Sequence, residues 1–337
     1  MKKILLFSLA IVFILLNHSC DKGTQGRKSM LPNITGAAGE VVVVMNSSVI
    51  KDSIAETLKT ILKEEFPMIP QSEPLFETIL IPSSSFSDIF RSHRNIVIVE
   101  VDDSFKEAKI TTKRDVWASP QTVLNITGAT YPAIEKMLEK EKDRLIQLLE
   151  QAERDRIVQN AKKFEAEGIR IFLENNFGIS VYFPKGYNLI LDTTNFAWIT
   201  YETPSTSQGI FVYEYPYTET NTFTADYLIE QRNSFIHKFV PGPTQNSYMS
   251  TETIIPPVLT PFMYKGRYFG QLRGLWTVIG HPMGGPFISL TTIDEINNRV
   301  ITVEGYVFAP RLNKRNYVRQ VEALLLTIEL PDTEEKE

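Results

Sequence analysis

A long charged segment divides this chain into two dissimilar halves. Residues 131–167 hold eight Lys or Arg and nine Asp or Glu, interleaved with apolar residues at helical spacing. The apolar positions are Ile134, Met137, Leu138, Leu145, Leu148, Leu149 and Ala152, followed on a rotated stripe by Ile157, Ala161 and Phe164. Thr130 and Pro132 are typical of a helix start, and Gly168 of a stop. We predict a long helix over 130–168 that packs on the preceding sheet and connects the halves. A dimeric coiled coil is the alternative, although the phase shift breaks a strict heptad.

The chain begins with the features of a secretory signal. Lys2 and Lys3 precede residues 4–16, an uncharged run of 13 mostly apolar residues that is too short to span a bilayer. Ser19 then precedes Cys20, the only cysteine, in an arrangement that resembles the lipobox of bacterial lipoproteins. The resemblance implies cleavage after residue 19 and a lipid on Cys20.

The lipobox predicts where the protein acts. Residues 1–19 form the predicted signal peptide, and residues 20–36 a lipidated, flexible tether. We expect a lipid-anchored protein of the cell envelope, in the periplasm or at the outer membrane, with the leaflet left open. The lipid on Cys20 makes the membrane its first partner, and an envelope protein or polymer is the second. The alternatives are an ordinary secretory signal with a coincidental cysteine, or an unprocessed apolar stub.

Composition excludes several classes of site. A single cysteine excludes a disulfide framework, a zinc ribbon and an iron–sulfur centre. The histidines lack the close spacing of local zinc motifs, so neither a metal site nor a cofactor is predicted. A net charge of -5 gives no attraction to nucleic acid. Neither the Gly-x-Ser-x-Gly pattern of a nucleophile elbow nor a phosphate-binding loop occurs in the sequence. We therefore expect a binding or accessory protein and not an enzyme.

Residues 37–129 predict an N-terminal α+β domain. The β-branched run at 40–45 suits a strand buried on both faces. A helix whose apolar residues extend from Ile50 to Phe66 follows it, and further strands are predicted over 76–81, 95–101 and 108–118.

Residues 169–330 predict a C-terminal antiparallel α/β domain, followed by an acidic tail over 331–337. Strands are predicted over 169–173, 179–183, 196–202, 210–217, 268–279, 286–294 and 299–308. Helices are predicted over 224–239 and 314–326. The fold class is thus α+β, with two helix-covered, mainly antiparallel sheets. The order of elements in the second half resembles the α/β/α sandwich of PsbP-type and Mog1-type proteins, which implies a fold used for binding and predicts no chemistry.

Four aromatic and glycine-rich stretches carry a further resemblance. They are residues 196–199, 274–276, 283–289 and 303–310, the last followed by Lys314 and Arg315. These stretches resemble a family of lipoproteins from Bacteroidota-type bacteria, domain-of-unknown-function family 4837. The resemblance implies an envelope lipoprotein without an assigned activity over nearly the whole mature chain.

The segment 280–286 is the candidate ligand-binding loop. Its glycines and prolines surround His281, the one side chain there that titrates near neutral pH. The possible ligand-binding residues are Arg273, Trp276, His281, Gly284, Gly285 and Glu304. A plain hairpin connection is the alternative interpretation. Two further functions stay open, an envelope hydrolase with a dispersed site near His281 and a structural spacer.

Two other clusters are interpreted structurally. The alternating row Phe211, Tyr213, Tyr215 and Tyr217 is expected in the core, although an exposed row would offer a stacking platform. Arg311, Lys314, Arg315 and Arg319 lie at the start of the last predicted helix, which is the unfavourable end of the helix dipole for cations. A solvated face is expected for them, with ion pairing or anion contact as the alternative.

Overall fold

The computed structural model describes residues 31–218 and 220–330. The predicted signal peptide, Cys20, most of the tether and the acidic tail lie outside the described residues. The described part contains six helices and thirteen strands, which confirms the α+β class. The helices are α1 (Ser53–Leu62), α2 (Asp88–Arg91), α3 (Tyr131–Lys163), α4 (Glu167–Phe177), α5 (Ala225–Phe239) and α6 (Arg315–Leu325). No helix in the described ranges is long and apolar enough to cross a membrane.

The first sheet has the strand order β2-β1-β3-β5-β4. Its strands are β1 (Glu40–Met45), β2 (Glu77–Pro82), β3 (Asn95–Val101), β4 (Lys109–Arg114) and β5 (Thr122–Gly128). The pairs β1–β2, β1–β3 and β3–β5 are parallel, and only β4–β5 is antiparallel. This sheet therefore differs from the expected antiparallel pairing. The reason is that a helical crossover such as α1 returns the chain to the same end of the sheet.

One face of this sheet is covered by helices. Val41, Val43 and Met45 of β1 share a core with the apolar faces of α1 and α3. The Thr130 side chain caps α3 by accepting from the Ala133 amide, as the sequence predicts. The helix extends for 33 residues with a kink at Glu141, so a long helix is present, but it ends at Lys163 and not at the predicted residue 168.

The strand predicted over 169–173 is wrong, because these residues lie in α4. Ile169, Leu173 and Phe177 are buried at intervals of four, which is the helical period. Gly168, the predicted stop, lies inside the first turn of this helix. The helix ends instead at Gly178, whose φ of 60° is the left-handed conformation that glycine adopts without strain.

The second sheet has eight antiparallel strands. Seven follow the order β10-β11-β12-β13-β8-β7-β6, and β9 pairs with β11. The strands are β6 (Asn188–Asp192), β7 (Phe196–Glu202), β8 (Ser207–Pro216), β9 (Tyr248–Thr251), β10 (Val258–Tyr264), β11 (Arg267–Ile279), β12 (His281–Asp294) and β13 (Arg299–Phe308). Alternate residues place α5 against one face and α6 against the other. The predicted α/β/α sandwich is confirmed.

The two halves share one continuous hydrophobic core. The helix face of the first sheet and the α6 face of the second contribute to the same cluster of buried residues, and α3 packs against α6. The division into domains over 37–129 and 169–330, with a connecting helix over 130–168, stays a prediction. The fold brings the start of β3, the middle of α3 and the face of α6 together.

Candidate functional site

The predicted loop over 280–286 forms the tip of the β11–β12 hairpin. His281 pairs with Val278, whereas Glu304 pairs with Ser289, which pairs in turn with Leu272. The strand from Leu272 to Val278 measures about 20 Å, so His281 and Glu304 are not brought together. The Nδ1 atom of His281 is buried and has no hydrogen-bond partner among the described residues.

The other predicted site residues have structural partners. The Trp276 indole is buried and donates to the Val307 carbonyl over 3.2 Å. Arg273 lies on the opposite face and donates to Glu322 of α6 over 2.6 Å. Gly284 and Gly285 pair with β11, and a Cβ on Gly285 would lie 2.1 Å from the Val307 carbonyl oxygen. Strand packing therefore requires glycine at position 285.

Glu304 belongs to a fully buried ion pair. Its carboxylate accepts from Nε and Nη2 of Arg232 on α5, at distances of 2.7–3.0 Å, and neither side chain is exposed to solvent. Arg232 also donates to Thr251 and lies 3.8 Å from the centre of the Phe287 ring. Burial raises the pKa of Glu304, and the Arg232 cation opposes that rise.

The aromatic row of β8 is in the core for the most part, as predicted. Phe211 and Tyr213 are buried, and Tyr213 stacks on Phe235 of α5 at 4.8 Å between ring centres. Tyr215 is partly buried against the same helix. The row is a packing surface beneath α5.

The expected solvated face at the start of α6 is wrong. Lys314, Arg315 and Arg319 are buried, and only Arg311 of the cluster is exposed. The Glu73 carboxylate accepts from the Lys314 and Arg315 amides over 2.6 and 3.1 Å, and so caps the helix from the first half of the chain. This anion satisfies the positive end of the helix dipole. The cationic side chains are then free to bind other groups of the first half.

Arg319 makes the largest set of these contacts. Its guanidinium pairs with both oxygens of Glu150 on α3 and donates to the Leu75 carbonyl over 2.6 Å. It also lies over the rings of Phe66 and Phe76. The cluster thus docks α6 onto the first half, and it borders a cavity.

We name this cavity, which lies between the two halves, the central cleft. It has a volume of about 390 Å³. Its lining combines residues from the start of β3, α3, the second sheet and α6. They are Ala38, Arg94, Glu153, Arg156, Ile157, Asn160, Pro184, Lys185, Tyr187, Tyr201, Gln208, Asn316, Arg319, Gln320 and Leu324.

A buried charge network forms one wall of the central cleft. Glu153 of α3 accepts from Arg94 over 2.8 Å and from Arg156 over 3.1 Å. Asn95 bridges them by donating to Glu153 over 2.7 Å and accepting from Arg156 over 2.9 Å. One carboxylate thus faces two guanidinium groups, which leaves a buried positive charge.

Arg94 is the incompletely bonded member of the network. Its side chain is only 15% exposed, and its Nε atom is buried without a hydrogen-bond partner in the described part of the chain. By contrast, Nε of Arg156 donates to the Pro120 carbonyl over 2.9 Å. An unbonded, buried N–H group costs about 1–3 kcal/mol relative to a bonded one. The Nε–H group of Arg94 is therefore an unsatisfied donor of this network, on a residue that lines the cleft.

The electrostatics of the cleft favour an anion. Four cationic side chains and one carboxylate line it, an excess of three positive charges, or two once Glu150 beside Arg319 is counted. Burial and the nearby Arg94 cation lower the pKa of Arg156 to about 10, although Glu153 opposes the shift. Burial also lowers the pKa of His93, next to Arg94 in the chain.

The opposite wall is aromatic and amide-rich. The rings of Tyr187 and Tyr201 lie 5.4 Å apart at 30°. The Tyr187 hydroxyl donates to Gln208 over 3.3 Å, and the Gln208 amide donates to Gln320 of α6 over 3.1 Å. A ligand with an anionic end and a flat apolar body matches both walls.

The central cleft was not predicted from the sequence. Its residues come from six separate segments, which only the folded chain brings together. One signal was available: Glu153 and Arg156 continue the helical spacing of Leu145, Leu149 and Ala152, so charged residues occupy buried positions of α3. The sequence prediction about metals concerned closely spaced histidines only. In the described ranges, the structure brings together no group of three or more His, Cys, Asp or Glu residues suited to a metal.

The two halves of the chain match different families of known proteins. Residues 168–327 match the family described as Domain of unknown function (DUF4837). The predicted resemblance to domain-of-unknown-function family 4837 is confirmed over residues 168–327, and the expected coverage of nearly the whole mature chain is wrong, because the first half matches a different family. Residues 35–162 match another family, Domain of unknown function (DUF8532). No curated protein matches the sequence.

Solved structures of low similarity cover less than half of the chain. A mutant of protein Mog1 has 9% identity and a TM-score of 0.30, over 46% of this chain and 92% of its own. The Saccharomyces cerevisiae Ran-binding protein Mog1p has 7% identity and a TM-score of 0.29, over 45% and 89%. LpqN of Mycobacterium tuberculosis, described as involved in cell envelope biogenesis, has 10% identity and a TM-score of 0.27, over 44% of this chain and 82% of its own. Scores this low carry no conclusion about function.

Proposed function

We propose that this protein is a lipid-anchored, non-catalytic binding protein of the bacterial cell envelope, of the kind found in Bacteroidota-type bacteria, and that the central cleft holds a small anionic ligand. The observation that carries the binding proposal is the buried, unbonded Nε of Arg94 within a cleft whose charged side chains are mostly cations. A carboxylate or phosphate oxygen would accept from this group, and a charge-assisted bond of this kind is about twice as strong as a neutral one.

The anchor proposal is supported by the position of Cys20. The residue follows an apolar run of signal-peptide length, and it is the only cysteine in the sequence. Several acyl chains hold a protein stably at a membrane, because each buried methylene contributes about 0.8 kcal/mol.

Metabolic labelling tests the anchor. Cells that express the full chain are grown with a fatty-acid analogue, and incorporation is compared between the wild type and Cys20→Ala. The proposal predicts label in the wild type and none in the variant, which should also leave the membrane fraction. Equal labelling of the two proteins would contradict lipidation at Cys20.

Thermal stabilisation tests the ligand class. A ligand that binds only the folded protein stabilises it by about 2.7 kcal/mol at a hundredfold excess over Kd. We expect small carboxylates or phosphates to raise the melting temperature, and neutral analogues of the same shape to leave it unchanged. Lys185→Gln, which removes an exposed cation of the cleft, should weaken the shift. Equal shifts with anionic and neutral compounds would contradict the proposal.

A further inference from the structure

The first sheet has a second face that carries its own cavity. Val42, Val44, Ile96 and Val123 form a small buried cluster on the side opposite α1 and α3. Partly buried aromatic residues from two connecting segments pack on this cluster. A groove of about 370 Å³ remains open beside them. We name it the face groove and define it by Phe86, Arg91, Glu100, Lys113, Trp117 and Asn125.

Two aromatic rings form one side of the face groove. Phe86 and Trp117 contact each other edge to face, with ring centres 5.4 Å apart and planes at 79°. Both rings are only partly buried, so each keeps an accessible edge or face. A packed edge-to-face pair holds its rings in place, which makes it a rigid surface for a ligand.

The floor of the groove holds an unbonded polar atom. The Nδ2 atom of Asn125 on β5 is buried and lacks a hydrogen-bond partner among residues 31–218 and 220–330. Buried polar groups are nearly always bonded, so this exception needs an explanation. A ligand with a hydrogen-bond acceptor would satisfy the amide.

Charges around the face groove are close to balanced. Glu100 and Lys113 have opposite signs, and Arg91 pairs with Asp88 over 3.2 Å. The groove therefore lacks the excess of cations that characterises the central cleft. A neutral, polar ligand fits it better than an anion.

We propose that the face groove binds a neutral glycan. Each sugar hydroxyl both donates and accepts, which matches the Asn125 amide and the charged rim. The apolar C–H face of a pyranose ring packs on an aromatic ring such as Trp117. A peptide that binds by adding a strand is the weaker fit, because it needs a free sheet edge and this groove lies on a face whose backbone is already paired.

Binding to defined oligosaccharides tests this proposal independently of the central cleft. The full chain, purified in detergent, is applied to an array of neutral and charged glycans, and each positive sugar is then titrated by isothermal calorimetry, which does not depend on a tryptophan reporter. We expect at least one neutral glycan to bind, with Kd raised tenfold or more in Trp117→Ala. Tyr268→Ala, which removes a partly exposed ring from the second sheet, is the matched control and should bind normally.

Asn125→Leu separates a ligand-binding amide from a structural one. The substitution keeps the size of the side chain and removes the unbonded amide, so the melting temperature should stay the same or rise, while glycan affinity falls at least tenfold. A clearly lower melting temperature would overturn the proposal, as would unchanged affinity. Absence of binding to any neutral glycan, or binding of extended peptides in this groove instead, would overturn it too.

Discussion

Loss of one partner of the buried ion pair of Arg232 and Glu304 should strongly destabilise the second half of the chain. Both side chains are fully buried, and the guanidinium holds the carboxylate through three contacts of 2.7–3.0 Å. Arg232→Met keeps most of the side-chain volume but leaves the carboxylate unpaired inside the protein. Breaking such a pair costs about 3–5 kcal/mol, because the remaining charge keeps its desolvation penalty.

Urea unfolding followed by circular dichroism measures this cost. We expect Arg232→Met to lower the free energy of unfolding by about 3–5 kcal/mol, and the double variant with Glu304→Leu to recover most of it. The matched control is the exposed pair of Lys142 and Glu64, where Lys142→Met should cost less than about 1 kcal/mol. A loss below 1 kcal/mol in Arg232→Met, or a double variant as unstable as the single one, would refute the reasoning.

The pH dependence gives the same test a second readout. The folded pKa of Glu304 lies above its unfolded value of 4.5, so the folded state binds more protons and loses stability as pH rises through that interval. Removing Arg232 takes away the cation that opposes the rise and moves the folded pKa further up. The deficit of Arg232→Met should therefore shrink as pH falls from 7 toward 4.5. A deficit that is constant with pH would show that Glu304 does not carry the cost.

Three further predictions concern the docking of α6, strand packing and pH. Glu73→Ala removes the carboxylate that caps α6 and should cost about 1–2 kcal/mol in urea unfolding, whereas a change below 0.3 kcal/mol would contradict the capping role. Gly285→Ala should destabilise the protein by about 2 kcal/mol or more in the same assay, because the added Cβ would clash with backbone atoms. The control, Gly168→Ala, has open space around the added Cβ in α4 and should stabilise the protein by up to about 1 kcal/mol. Similar effects of the two substitutions would contradict the strand packing at Gly285. Because burial lowers the pKa of His93, the unfolded state binds more protons than the folded state. The free energy of unfolding should therefore fall below pH 6.5, by at most about 1.4 kcal/mol per pH unit. The same dependence of the free energy of unfolding on pH in His93→Asn would contradict this.

Periodicity predicted the elements that depend on local residues. The 3.6-residue spacing and the Thr130 cap identified α3, and the alternating row of β8 identified a strand packed under a helix. The same rule failed for α4, because Ile169 and Leu173 are β-branched or apolar residues in a short run, in which strand and helix look alike. The parallel pairing of the first sheet was also missed, since it depends on the end to which each connection returns.

The candidate site was harder to predict because it depends on tertiary contacts. Glycines and a histidine marked the hairpin at 280–286, but these residue types also suit a tight turn and close strand packing. The buried cations of α6 were expected to form a solvated face. The residue that caps this helix, Glu73, is 241 positions away in the sequence, so no local pattern indicates the contact. Arg94 carries no sequence signal at all. Its role depends on α3, which places Glu153 beside it.

Titration with an anionic fluorophore tests the central cleft most directly. Anilinonaphthalenesulfonate combines a sulfonate with flat aromatic rings, the two features that the cleft walls match. The account predicts saturable binding to the wild type that weakens with salt, with Kd raised at least tenfold in Arg94→Gln and less in Lys185→Gln. Lys142→Gln, on the outer surface of α3, should leave Kd unchanged. The same Kd in the wild type and Arg94→Gln, with melting temperatures that show both folded, would contradict an anion site at the central cleft.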